Sequence, residues 1–199
     1  MKFLKSHTLI LLIILLASVL RLVRLDDNPP SLYWDEVSLG WNAYSVLKTG
    51  NDEFGRHLPT DAFLAFGDYK PPLYIYSVVG SMAIFGLNDF AVRFPSALAG
   101  IITVVLIYLL TFKLFGNKNI ALLSSLLLTI SPWHIQVSRA AFEANLALMF
   151  MILGLWLFLE SVDRYRLLIL PSFISFLASA YTFNSNRIVA PLLLIIFNI

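Results

Sequence analysis

Two adjacent carboxylates, Asp35 and Glu36, stand among aromatic residues in the stretch "SLYWDEVSLGWNAY" (residues 31–44). A carboxylate beside a membrane can act as a general base, bind a metal ion or cap the N-terminus of a helix. The capping role stays open, because the sequence from about Val37 to Leu47, closed by Gly50, predicts a short helix directly after the acid pair. The neighbouring tryptophans are typical of the aromatic belt at a membrane interface.

Charged residues that could contact a phosphate stand at the edges of apolar segments. Lys70 precedes two prolines in "GDYKPPLYIY", and proline fits the first turn of a helix, which would hold the lysine at the helix start. Arg139 and Glu143 are four residues apart, a spacing that predicts an ion pair on one helix face. Each such residue also has a structural alternative as an interfacial anchor or a simple ion pair. The candidates for a phosphate contact or a polar cavity are Lys70, Arg93, Arg139, Glu143 and Arg187.

A divalent metal ion could take hard ligands from Asp35, Glu143 and His134. A lone histidine is more often structural than a metal ligand, so metal dependence stays open. The chain contains no cysteine, which excludes disulfides, thiol nucleophiles and thiolate metal sites.

The elements that position these residues lie in a membrane. Of the 199 residues, 59% are hydrophobic and 13% are charged, with a mean hydropathy of +0.81, outside the usual range of a soluble domain. The net charge of +2 gives a nucleic-acid partner no support. The N-terminus resembles a signal peptide without a cleavage site, so we interpret it as a first helix whose Lys2 and Lys5 hold the chain start in the cytoplasm.

The apolar runs predict an all-α polytopic helix bundle with about six membrane spans. The 16 residues of the segment 72–87 would reach only about 24 Å as a helix, against a hydrocarbon core of about 30 Å. We therefore interpret this segment as an interfacial helix inside one large outer loop, residues 26–93. The predicted spans lie near 8–25, 94–113, 119–137, 144–161, 167–183 and 187–199.

The basic residues support this topology. If 72–87 does not cross the membrane, the paired bases at 113–118 and 164–166 lie in the cytoplasm with the N-terminus, as the positive-inside rule requires. Arg21 and Arg24 go against the rule. The topology places the candidate site residues together at one membrane face, at the ends of different helices, where ionisable residues are functional candidates.

The order of these features resembles a known family. A first span, an outer loop with "DE", and then "KPPLY", "AVRFPSALAG" and "SPWHIQVSRAAFEANL" are similar to the membrane glycosyltransferases of the GT-C class. The set is most similar to the branch that contains the protein mannosyltransferases and the bacterial aminoarabinose and sugar transferases that use polyprenyl-phosphate donors. The resemblance runs from about Leu9 to Leu194. Relatives are usually more than twice as long, so we expect this chain to be the N-terminal transmembrane module, with a C-terminal remainder missing.

The resemblance implies inverting transfer of a sugar from a polyprenyl-phosphate donor to a hydroxyl of a lipid, glycan or protein acceptor. The reaction would take place at the outer face of a prokaryotic plasma membrane, and some relatives bind a divalent metal ion near the acids. Asp35 would be the general base with Glu36 as its neighbour, and Glu143 a second acid of the cavity. Lys70 would contact the donor phosphate, helped by Arg93 and Arg139.

Two other functions remain open from the sequence. A transporter or flippase of lipid-linked glycans would use the same charges to line a passage, although it would place them near the bilayer midplane on broken helices. A structural membrane subunit would disperse the loop charges through the fold.

Overall fold

The computed structural model describes residues 2–196, with side chains from residue 8 onward. The side chains of Lys2 and Lys5, and residues 197–199 of the last predicted span, lie outside this description. The described chain is mainly helical, with a β-hairpin and one 3₁₀ turn, Arg166–Leu168. The helices are α1 (Lys2–Leu22), α2 (Trp34–Thr49), α3 (Pro72–Phe85), α4 (Asp89–Phe115), α5 (Lys118–Ile130), α6 (Pro132–Arg139), α7 (Glu143–Asp163), α8 (Ile169–Ala180) and α9 (Asn186–Ile196), and the strands are β1 (Phe63–Ala65) and β2 (Asp68–Lys70).

Two of the described helices, α4 and α7, are long and apolar enough to cross a bilayer. Their 27 and 21 residues reach about 40 and 31 Å at roughly 1.5 Å per residue. Together, α5 and α6 form a third candidate, bent by 58° at a short break. These apolar helices make the chain a helical integral membrane protein, and the figure of six spans stays a prediction. Helix α3 has 14 residues, too short to cross when straight, and its place at the interface also stays a prediction.

The helical content agrees with the predicted all-α membrane protein, and the outer loop adds a small antiparallel hairpin, residues 63–70, that the sequence did not predict. Phe66 and Gly67 make its two-residue turn, with φ angles of 53° and 79°, and a turn with both residues left-handed matches the twist of paired strands. Phe63 in the first strand is fully buried. The hairpin is therefore anchored in the core on one side and carries Lys70 at the end of the other.

The helix predicted after the acid pair is present as α2, but it begins three residues earlier than expected, at Trp34. It ends at Gly50, whose φ of 73° is the left-handed conformation that glycine adopts at helix C-termini. Asp35 and Glu36 therefore lie inside the first turn, where the helix dipole favours carboxylates.

The predicted span 119–137 is broken into α5 and α6. Pro132 starts the second piece, because proline has no N–H to continue the first helix and fits the first turn of a new one. The Ser131 side chain accepts a hydrogen bond from the His134 backbone N–H and so caps α6.

Helix α4 lies at the centre of the bundle and contacts α1, α3, α5, α6 and α7. The first half of α4, which follows the outer loop and is called its loop-side half, shares one buried cluster with α2, α3 and α7. This loop-side cluster includes Val92, Leu39, Ile75 and Leu146. Near the middle of α4, α6 approaches so closely at Gly100 that a Cβ atom there would lie 2.7 Å from Ser138 Cβ. The close packing of α6 holds the start of α7 against the loop-side cluster.

Two buried arginines bind the carbonyl groups at helix ends. Arg21 of α1 donates to the oxygens of Leu128 and Thr129 in the last turn of α5, at 3.3 Å each. Arg139 of α6 donates to the oxygens of four residues at and beyond the end of α1. The last carbonyls of a helix have no partner within that helix, so these bonds stabilise both ends. The acceptors of Arg139 belong to Leu20, Val23, Arg24 and Asn28.

Candidate active site

Lys70 lies at the centre of a cluster of three carboxylates. Its Nζ is 3.4 Å from Asp35 Oδ1, 3.9 Å from Glu143 Oε1 and 3.9 Å from Asp68 Oδ2. The Asp35 side chain keeps 30% of its surface exposed, against 17% for Lys70 and 10% for Glu143. One ammonium group thus faces three acids, and Asp35 is more accessible than Glu143.

Three elements bring this cluster together. Lys70 is the last residue of β2 and stands two residues before α3, Asp35 lies in the first turn of α2, and Glu143 is the first residue of α7. The Asn184 side-chain amide donates to the Tyr69 carbonyl at 3.0 Å, so the loop before α9 also holds the hairpin. The cluster therefore depends on contacts between segments far apart in the sequence.

The chemistry open to the cluster follows from its charges. A partly exposed carboxylate can accept a proton from a hydroxyl, and an ammonium group can stabilise a phosphate. Within the described residues, Glu143 Oε1 accepts no hydrogen bond, so this oxygen is available to a donor on a ligand. The arrangement suits transfer of a group from a phosphate to a hydroxyl.

Tyr33 adds a neutral phenol beside the cluster. Burial raises its pKa well above the usual range, and the nearby carboxylates of Asp35, Glu36 and Glu143 raise it further. Its ring packs against that of Phe142, with 5.6 Å between ring centroids. Tyr33 therefore remains protonated at neutral pH, and its ring contact joins the segment before α2 to Phe142, the residue before α7.

Glu36, unlike Asp35, is enclosed by protein. Its two oxygens accept from Arg93 Nε and Nη2 at 3.0 and 3.2 Å, and also from the backbone N–H groups of Ala141 and Tyr33. Both side chains of this ion pair are almost fully buried. The Tyr33 bond means that Glu36 fills the helix-capping role left open for the acid pair.

Arg93 is similarly enclosed, although the sequence made it a candidate for a donor phosphate. Besides Glu36, its guanidinium donates to the carbonyl oxygens of Leu25, Pro29 and Ser31 at 2.8–3.1 Å. The pair thus ties the start of α4 to α2 and to the segment after α1. Through Glu36, the pair directly adjoins Asp35 in the chain, since Glu36 is the next residue of the first turn of α2.

The predicted ion pair of Arg139 and Glu143 on one helix face is wrong. The chain leaves the helical conformation at Ala140, so Arg139 ends α6 and Glu143 starts α7. The guanidinium of Arg139 is engaged with the carbonyls at the end of α1 and is nearly buried. Arg187 is exposed near the start of α9, on the segment that follows Asn184.

The ligand set proposed for a metal ion is not brought together. His134 accepts a hydrogen bond from Arg21 Nη2 at its Nδ1, over 2.8 Å, and lies in the contact between α1 and α6. Within the described residues, no group of three aspartate, glutamate or histidine side chains could hold a metal ion. Of the three proposed ligands, Asp35 and Glu143 lie near each other, since both contact Lys70.

Sequence reasoning missed Asp68, Tyr33 and Asn184. Asp68 could have been found, since residues two apart in a strand point to one face, which sets Asp68 beside Lys70. Tyr33 and Asn184 carried no comparable signal, because their contacts cross from one segment to another.

Comparison with known proteins identifies the family. The model of the dolichyl-phosphate-mannose-protein mannosyltransferases matches residues 69–199, about two thirds of the chain. The chain belongs to this family. The match includes Lys70 and Glu143, and Asp35 lies before it.

Two individual relatives match the chain, and the name of one agrees with the family. The chain is 28% identical over 189 residues to a Bacillus subtilis protein named "Putative mannosyltransferase YkcB", covering 94% of this chain and 25% of that protein. It is 39% identical over 97 residues to an uncharacterized protein of Aquifex aeolicus, covering 49% of this chain and 19% of the relative. The chain thus spans about a fifth to a quarter of the length of these relatives. No solved structure matches it.

Proposed function

We propose that this protein transfers a sugar from a polyprenyl-phosphate donor to an acceptor hydroxyl at the outer face of the membrane. The description of the family supports mannose as the sugar. The observation that carries the proposal is the cluster of Lys70 with Asp35 and Glu143, at 3.4 and 3.9 Å. It supplies a base and a cation within reach of one ligand. Family membership over residues 69–199 supports the reaction class.

Asp35 acts as the general base. Its carboxylate accepts the proton of the acceptor hydroxyl, whose oxygen then attacks the anomeric carbon of the sugar. The bond from this carbon to the phosphate oxygen breaks, and the lipid phosphate leaves with the electron pair. One displacement of this kind inverts the anomeric carbon and needs no enzyme nucleophile.

Lys70 stabilises the leaving phosphate. Among the described residues, its ammonium forms ion pairs with three carboxylates, and a bound phosphate would become a further anionic partner of the same Nζ. A cation already in place at the site of developing charge lowers the barrier without reorganisation. Arg187, exposed three residues after Asn184, is the second cation we assign to the phosphate.

Glu143 orients the acceptor, and the buried pair of Glu36 and Arg93 fixes Asp35. Glu143 Oε1, which accepts no hydrogen bond within the described residues, can accept one from a hydroxyl of the sugar or the acceptor. Glu36 directly follows Asp35 in the first turn of α2, so its bonds to Arg93 hold that turn in place. No step is assigned to a metal ion, because the ligand set is not assembled.

The test uses membranes that contain the protein, polyprenyl-phosphate [³H]mannose as donor and the endogenous acceptors. Asp35→Asn should lower transfer at least about a hundredfold, within the range of general base catalysis, with unchanged protein abundance. Asp26→Asn is the matched control, because Asp26 is an exposed acid of the same loop. Transfer retained by Asp35→Asn would reject Asp35 as the base, and loss in both variants would reject a specific role.

A further inference from the structure

An open cleft of about 520 Å³ lies between α6 and the first turns of α7, a size typical of sites for small molecules. Most of its wall is apolar, with Trp133 and Val137 on one side and Phe142 and Leu148 on the other. Leu148 stands five residues into α7, about 8 Å along the helix axis. The cleft therefore runs from the loop side of the protein towards the depth of the bilayer.

Each wall also carries one buried polar atom that has no hydrogen-bond partner within the described residues. His134 on α6 and Asn145 on α7 both line the cleft, and their side chains are 6% and 1% exposed. Within the described residues, His134 Nε2 and Asn145 Oδ1 form no hydrogen bond. A buried polar atom left in this state costs free energy, so a ligand that satisfies both would be favoured.

The hydrogen-bonding character of both atoms follows from their neighbours. Arg21 can only donate, so the His134 Nδ1 that it contacts is an acceptor, and Nε2 carries the hydrogen. The Asn145 amide nitrogen donates to the Ser96 carbonyl at 2.8 Å, which identifies Oδ1 as the free acceptor. The buried walls of the cleft thus offer one donor and one acceptor, and the exposed amide of Gln136 lies at its edge.

The buried pair disfavours two kinds of ligand, whatever contact the exposed Gln136 amide makes. A phosphate has only acceptor oxygens when ionised, and the Asn145 carbonyl oxygen would repel it. A hydrocarbon chain would leave both polar atoms unsatisfied. A neutral hydroxyl satisfies both, because it accepts from His134 and donates to Asn145.

We propose that this cleft binds a neutral lipid alcohol, with its hydroxyl between His134 and Asn145 and its chain against Leu148. The cleft is close to the acid cluster, because Phe142 lines it and directly precedes Glu143. If the proposed function holds, this lipid is the class of acceptor that receives the sugar. The binding site itself does not depend on that reaction.

Native mass spectrometry of the detergent-solubilised full-length protein tests the proposal with 1,2-dioleoylglycerol and its 3-O-methyl ether. The ether keeps the chains and the acceptor oxygen but loses the donated hydrogen. The alcohol should bind to saturation with one lipid per protein and with about tenfold higher affinity than the ether, the upper range for one hydrogen bond. Equal affinities, or adducts that do not saturate, would overturn the proposal without any mutation.

A variant locates the site. Ala144 lines the cleft, so Ala144→Phe fills it without touching the bonds of His134 or Asn145, and should weaken binding of the alcohol at least about tenfold. Ala83→Phe is the control, because Ala83 is exposed on α3 and outside the cleft. Unchanged binding in Ala144→Phe would place the lipid elsewhere and reject the assignment.

The same assay separates this inference from the proposed reaction. Asp35→Asn should bind the alcohol like the wild type, since Asp35 does not line the cleft. Binding without sugar transfer by the wild type would overturn the proposed function alone. Transfer without specific binding would overturn the cleft assignment alone.

Discussion

Glu36→Gln and Asp35→Asn should separate structure from chemistry in two adjacent acids. All four groups that contact Glu36 are donors, two from Arg93 and one each from the backbones of Ala141 and Tyr33. A glutamine must turn its own NH₂ group towards two of them. The substitution therefore removes a charge and also places the NH₂ group of the glutamine next to two N–H donors, where it can form no hydrogen bond with them.

The expected magnitude follows from burial. Breaking a buried ion pair by changing one partner costs about 3–5 kcal/mol. For a chain of this length that lowers Tm by an amount on the order of 10 °C. The Asp35 side chain is 30% exposed and 3.4 Å from Lys70, and such a pair contributes about 0–1 kcal/mol. Asp35→Asn should therefore leave Tm nearly unchanged.

Thermal unfolding of the detergent-solubilised protein, followed by intrinsic fluorescence, measures both variants. Glu53→Gln is the matched control, because Glu53 is exposed in the same loop and its Oε1 accepts from Asn42, a bond that glutamine can keep. A Tm of Glu36→Gln equal to that of Glu53→Gln would refute the reasoning. An equally large decrease in Asp35→Asn would do so as well.

Three further outcomes are expected. Lys70→Met should raise the KM for the polyprenyl-phosphate donor at least about tenfold, because a charge-assisted contact is lost, whereas Lys70→Arg should retain part of the affinity; equal KM values in transfer assays would contradict the role. Gly100→Ala should lower the free energy of unfolding by about 1–3 kcal/mol, and therefore lower Tm, because the new Cβ meets Ser138. Gly80→Ala is the control and should leave Tm unchanged, because its Cβ meets no atom within 4 Å. Tyr33→Phe should reduce the loss of stability above about pH 10: the folded pKa of Tyr33 exceeds the unfolded value of about 10, so its contribution is complete below that pH and is lost as pH rises. Identical pH profiles of Tm in wild type and variant would argue against that shift.

Local signals in the sequence were sufficient for several elements. The end of α2 at Gly50 followed from the ordinary role of glycine at helix C-termini, and the start of α3 followed from the prolines after Lys70. The proximity of Asp35, Lys70 and Glu143 followed from keeping 72–87 on one side of the membrane. Helix length and charge distribution thus indicated which loops meet.

The sequence could not separate the roles of the two adjacent acids. Neighbouring side chains on a helix point about 100° apart, so the two acids face different surroundings. Which acid faces inward depends on the residue that contacts it elsewhere in the fold. Arg93 is 57 positions from Glu36, and the sequence does not show whether its guanidinium binds a phosphate or a carboxylate. The break at Ala140 was also hidden, since the spacing of Arg139 and Glu143 fits an unbroken helix equally well.

The carbonyl groups at the end of α1 have an implication for biosynthesis. Their donor, Arg139, is 119 residues further along the chain than Leu20. A ribosome releases α1 long before it makes this arginine, so the first helix must enter the membrane with its final turn incompletely bonded. In nascent chains that stop before residue 139, the position of α1 in the membrane should therefore be less stable than in chains that include α6.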